Sequence, residues 1–140
     1  MPAKTRITMI DDEETLCHLV RLNLESTGRF EVTTATDPRD GLRLAQSERP
    51  DLIILDLMMP HMEGSVVAEK LLECQQTKGI PILFLTVLAD KNISGAYMEG
   101  SHSRKMVAKP VTTAELVRRI DEMLANSREN NHRQLTASVN

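Results

Sequence analysis

Residues 51–64 read DLIILDLMMPHMEG. The segment opens, after Pro50 and Asp51, on four apolar residues, Leu52, Ile53, Ile54 and Leu55, and then stops on a lone carboxylate, Asp56. Four apolar residues without alternation read as a strand buried on both faces, as a central strand of a parallel sheet must be. An acid at the carboxyl end of such a strand falls where open α/β sheets gather their sites, in the crevice beyond the strand ends. Pro60 and Gly64 mark a loop leading away from it. Carboxylates are competent nucleophiles for aspartyl-phosphate formation, so Asp56 is the first candidate functional residue.

Upstream, ITMI at 7–10 is a short strand cut off by Asp11, Asp12, Glu13 and Glu14. Four adjacent acids repel one another, but at the first turn of a helix the macrodipole partly offsets that repulsion. The spacing predicts a helix over 13–27, with Leu16, Leu19, Val20 and Leu24 inward, ended by Gly28. FEVTTAT at 30–36 alternates as a strand, and Asp37-Pro38 reads as an N-cap with proline at the first position of a helix over 38–48. Downstream, a helix is predicted over 65–78, with Val67, Ala68, Leu71 and Leu72 inward. IPILFLT at 80–86 is a second apolar strand, ending at Thr86. Residues 90–99 carry only a thin helical pattern broken by Gly95, and SHSRK at 101–105 is a polar loop. MVA at 106–108 is a last strand, followed by Lys109-Pro110. Thr112-x-x-Glu115 is a capping box opening a helix with Leu116, Val117, Ile120, Met123 and Leu124 on one side. Residues 127–140 are polar and aperiodic and read as a disordered tail behind a domain of residues 1–126.

Five strands alternating with five helices predict an α/β fold: a five-stranded parallel sheet with helices on both faces. Right-handed crossovers leave few topologies, and the flavodoxin-like order 2-1-3-4-5 is the expected one. The chain has 140 residues, 26% charged and 41% hydrophobic, an ordinary globular composition for one domain. Its net charge of -3 gives no basic footprint for nucleic acid. No apolar run suits a membrane span, and the N-terminus MPAKTRITMI lacks the apolar core of a signal peptide, so the expected location is cytoplasmic. Cys17 and Cys74 have neither CxxC nor zinc-ligand spacing and read as reduced thiols on helices.

In a parallel sheet the carboxyl ends of the strands share one edge. Asp11, Asp12, Asp56, Thr86 and Lys109 therefore converge there. Carboxylates packed alone repel, which a divalent cation resolves, and an oxygen-only donor set suits Mg²⁺. Lys109 and Thr86 supply a cation and a hydroxyl for a phosphoryl group on Asp56, a chemistry of positioning and charge neutralisation.

The chain resembles the receiver domains of the two-component response regulators. The likeness is carried by IDDEE at 10–14, DLIILDLMMPHMEG at 51–64, ILFLT at 82–86 and KP at 109–110, and covers roughly residues 5–125. It implies that Asp56 takes a phosphoryl group from a phospho-histidine of a sensor histidine kinase or a histidine phosphotransfer protein. It further implies that Asp11, Asp12, Asp56 and the Met58 carbonyl hold Mg²⁺, that Thr86 and Lys109 contact phosphoryl oxygens, and that Pro110 follows a cis bond. Such a domain is a switch acting on a downstream target protein, not an enzyme on other substrates.

Three features depart from the family's usual pattern. The switch aromatic three residues before the lysine is Met106, the small residue after the threonine is Val87, and the segment between them ends in the longer, basic GSHSRK at 100–105. These keep open a receiver-like docking domain acting without phosphorylation. A haloacid-dehalogenase-like hydrolase would need an acid at position 58, which is Met58. A flavin carrier would need small hydroxyl or glycine residues where Asp11–Glu14 stand.

Overall fold

A computed structural model of the chain describes residues 3–60, 62–87 and 106–138. Strand β1 (Thr5–Ile10) leads into helix α1 (Glu14–Glu25), and β2 (Phe30–Ala35) into α2 (Pro38–Glu48). The central strand β3 (Leu52–Asp56) is followed by α3 (Gly64–Glu73), then β4 (Ile82–Val87), β5 (Met106–Lys109) and the helix α4 (Thr113–Ser138). The five strands are all parallel, as the alternating pattern predicts, and lie in the expected flavodoxin-like order β2-β1-β3-β4-β5. The expectations for 90–99 and 101–105, and any statement about the Val87 side chain, fall outside the described residues.

Successive side chains of a strand point to opposite faces, so each strand feeds two cores. Ile7 and Met9, Leu52 and Ile54, Leu83 and Leu85, and Val107 meet α1 and α4 through Cys17, Val20, Leu24, Leu116, Ile120 and Met123. Ile10, Ile53 and Leu55, Ile82 and Phe84, and Met106 meet α2 and α3 through Ala45, Val67, Ala68 and Leu71. All five residues of β3 are buried, which explains its lack of alternation.

The helix signals act as their chemistry dictates. Asp37 accepts from the N–H groups of Arg39 and Asp40, with Pro38 at the first turn. Thr112 Oγ1 accepts from the Glu115 N–H at 3.1 Å, and Gly28 takes φ 78° after α1.

Four expectations need correction. The tail predicted at 127–140 does not begin there, because α4 continues as helix to Ser138. Nothing in 126–138 interrupts it: the segment has no glycine or proline, and Arg, Glu, Gln, Leu and Ala are good helix formers. Helix α3 ends at Glu73, short of Lys78. The buried Thr77 turns the chain back, its hydroxyl donating to the Leu71 carbonyl at 2.6 Å. Cys74 is therefore the residue capping α3 and not a helical one, although both cysteines are free thiols. Leu19 and Leu72 are exposed, because the inward stripes are Cys17–Val20–Leu24 and Val67–Ala68–Leu71, each a step round the helix from them. Among the described residues, no helix is long and apolar enough to cross a membrane.

Candidate phosphoryl-acceptor site

The two-residue period of the strands decides which side chains can meet. Asp56 continues the series Leu52, Ile54, and Lys109 continues Val107, so both point to the α1/α4 face, as does Asp11 beyond Ile7 and Met9. Thr86 continues Ile82 and Phe84 toward the other face, where Met106 also lies. The sheet edge thus gathers the charged groups on one side and the hydroxyl and Met106 on the other.

Asp11 is fully buried and Asp56 is 3% exposed. Asp11 Oδ1 accepts the Glu13 N–H at 2.9 Å, closing the first turn of α1, and the Cys17 thiol donates to the Asp11 carbonyl at 3.3 Å. Asp56 Oδ1 accepts the Met58 N–H at 3.1 Å, fixing the carboxylate against its own loop. That loop doubles back on the strand: the Gly64 N–H donates to the Leu57 carbonyl at 2.9 Å. A Cβ at Gly64 would lie 2.3 Å from the Asp56 carbonyl oxygen, so only glycine fits.

Lys109 enters from β5, ahead of a cis bond to Pro110. Its Nζ lies 2.9 Å from Asp11 Oδ2, 3.1 Å from Glu13 Oε1 and 3.5 Å from Asp56 Oδ1. Burial works against the ammonium, but the charges of Asp11, Asp56 and Glu13 outweigh it and hold Lys109 above its usual value. Burial, then the neighbouring Asp11 charge, pushes Asp56 up to about 7. Asp11 is also raised, by burial above all. The Cys17 thiol behind the site is pushed up to about 12 by burial and by Asp11, which leaves it an unreactive thiol.

One oxygen each from Asp11, Asp12 and Asp56 lies within 4.8 Å of the others. Asp12 is the exposed member. Within this group Asp11 Oδ2 is buried, faces Lys109 as an ion pair, and accepts no well-aligned hydrogen bond among the described residues. Carboxyls raised by burial and mutual charge, and a close set of hard oxygen donors, fit a small divalent cation such as Mg²⁺.

The structure therefore brings Asp11, Asp12, Asp56 and Lys109 together. It sets Thr86, 6% exposed, at the end of β4, paired in register with Ala108. Met106 is buried opposite Phe84 in the apolar layer, and Met58 stands 46% exposed beside Asp56. The sequence reading missed Glu13, which it takes as a helix-start acid. No local signal marks its contact with Lys109, which joins residues 96 apart. Beside the site, between α1 and α4, runs a groove of about 530 Å³ lined by Leu16, Leu19, Val20, Asn23 and Leu116, with Glu13, Lys109 and Pro110 at its head.

The comparisons with known proteins agree with this geometry. The chain is 34% identical over 122 residues to the alkaline phosphatase synthesis transcriptional regulatory protein PhoP of Bacillus subtilis, matching 87% of this chain and 49% of that one. It is 29% identical over 120 residues to protein PilH of Pseudomonas aeruginosa, matching 86% of this chain and 98% of that one. It spans about half the length of most of the curated relatives it matches. Among solved structures, a response regulator from Chloroflexus aurantiacus superposes with a TM-score of 0.76 at 28% identity, covering 88% of this chain and 99% of that one. The chemotaxis protein CheY4 of Vibrio cholerae gives a TM-score of 0.71 at 29% identity, with 86% and 99% covered. The response regulator receiver domain profile matches residues 7–121, and the chain belongs to that family.

Proposed function

We propose that Asp56 accepts a phosphoryl group from the phospho-histidine of a sensor histidine kinase or a histidine phosphotransfer protein, and that this switches contacts with a downstream target protein. The observation that carries this reading is one buried carboxylate, Asp56, ringed by Asp11, Asp12 and the Lys109 ammonium 3.5 Å away. In the step, a carboxylate oxygen of Asp56 forms a bond to phosphorus as the P–N bond to the donor imidazole breaks. The Met58 N–H holds Asp56 Oδ1 and so sets the plane of the attacking carboxylate. Lys109 and the Thr86 hydroxyl offer positive charge and a hydrogen bond to the phosphoryl oxygens. Asp11, Asp12, Asp56 and the Met58 carbonyl are the donors that would hold Mg²⁺, which when bound neutralises charge between the carboxylates and the phosphoryl oxygens. Beyond the transfer to and from Asp56, the chain acts as a signalling domain rather than an enzyme.

One observation favours a second reading. Met106 is buried in an apolar layer and has no polar tip to follow a moving Thr86, so a docking role independent of phosphorylation has a physical basis. Intact-mass spectrometry separates the two. The chain is incubated with Mg²⁺ and a small phosphoramidate, with Asp56→Asn alongside. One added phosphoryl on the wild type and none on the variant supports the acceptor; none on either, or one on both, sinks it.

A further inference from the structure

Three carboxylates of the chain itself hold the Lys109 ammonium, and of these contacts only the one to Glu13 is a well-aligned hydrogen bond among the described residues, so that is the one an arriving phosphoryl oxygen competes for. We propose that Glu13 is the partner Lys109 releases on phosphorylation, and that the freed carboxylate marks the phosphorylated state at the head of the α1–α4 groove. The inference rests on Asp56 being the acceptor.

The three partners differ in what release costs. Asp11 is fully buried, and leaving its charge without a partner in that setting is strongly unfavourable. Asp56 carries the phosphoryl group itself. The Glu13 side chain is 59% exposed, so water can take over its hydrogen bond at little cost. The Lys109 side chain is only 11% exposed, so it can shift a hydrogen bond but cannot swing away into solvent. Glu13 is therefore a stand-in acceptor, occupying one lysine donor until a phosphoryl oxygen arrives.

The groove gives the release a consequence. Glu13 and Lys109 line its head, and Leu16 and Leu19 line its wall on the same helix. While the pair is closed, the carboxylate is neutralised and drawn toward the sheet edge. Once it opens, an uncompensated negative charge stands at the groove's mouth. The signal leaves by α1, on the face opposite Met106, and so does not need an aromatic at that position.

The test uses methyl NMR on the full chain with Mg²⁺, adding beryllofluoride as the acyl-phosphate mimic and following bound fluoride by ¹⁹F. The wild type, Glu13→Gln, Glu13→Ala and Asp56→Asn are compared. In the wild type, the Leu16 and Leu19 methyls are expected to shift on binding. In the two Glu13 variants, which have no carboxylate to release, they should move by less than a third as much. Leu71, on the opposite face, reports whether a variant has simply perturbed the fold. Equal shifts in the wild type and both Glu13 variants, or no shift in a wild type that binds the mimic, overturn the proposal. A wild type showing no bound fluoride overturns the acceptor reading instead, and the inference falls with it.

Discussion

Asp56 is an acid held where an acid is uncomfortable. Its ordinary value is 3.8, and burial with the Asp11 charge moves it up to about 7. Between those values the native state holds a proton that the unfolded chain has lost, so without a divalent cation stability falls as pH rises through that window. Removing the charge should therefore stabilise: Asp56→Asn gains on the order of 1–3 kcal/mol at pH 8, since each unit of such a shift is worth about 1.4 kcal/mol. The gain shrinks toward pH 5. Urea unfolding in chelator at both pH values checks it, and a variant no more stable than wild type at pH 8 would show that the carboxylates are not in conflict. Next to Asp56, Met58 offers an apolar, half-exposed side chain where a hydrolytic water would approach. Met58→Asn is expected to shorten the lifetime of the phosphorylated form several-fold, read as loss of the phosphoryl mass against time. An unchanged lifetime would mean that the methionine does not shield the acyl phosphate.

The elements show where local signals suffice and where they do not. Gly41 sits inside α2, where alanine would ordinarily add about 1 kcal/mol of helix propensity. A Cβ there would lie 2.7 Å from the fully buried Ile10, and overpacking typically costs about 1–3 kcal/mol. Gly41→Ala should thus lower the thermal midpoint, against its propensity. Gly64→Ala is worse placed, since its obstacle is backbone: it should cost at least as much and also displace Asp56, visible as a weakened response to Mg²⁺. Strand β3, the caps at Asp37 and Thr112 and the grouping of Asp11, Asp12, Asp56 and Lys109 were legible, because each follows from periodicity, short-range hydrogen bonding or chain-end geometry, while the strand order was expected only as a common solution among the few that right-handed crossovers allow. The Glu13–Lys109 contact was not, because it joins residues 96 apart and leaves no local trace. The early end of α3 turns on one buried threonine hydroxyl, and the long run of α4 on the mere lack of a stop signal. Leu19 and Leu72 mislead for a related reason: a leucine one step off the stripe looks inward to a pattern but not to a neighbour.

At the scale of the molecule, cation binding and folding should be one equilibrium. A ligand held only by the native state adds about 2.7 kcal/mol at one hundred times its dissociation constant. Mg²⁺ is expected to raise the thermal midpoint of the wild type, more at pH 8 than at pH 5, because protonated carboxyls compete with it. Asp56→Asn should lose most of that rise. A midpoint indifferent to Mg²⁺ at pH 8 would argue that the three acids do not form a cation site. The partition of the sheet also bears on how such a chain can change over time. Charge lies on one face of the strands, Thr86 and Met106 on the other. Loss or gain of a single residue within β5 would trade the faces, carrying Lys109 into the apolar layer and its neighbour into the charges. Spacing within these strands thus works as a reading frame does: a changed letter alters one contact, while a lost one alters every contact after it.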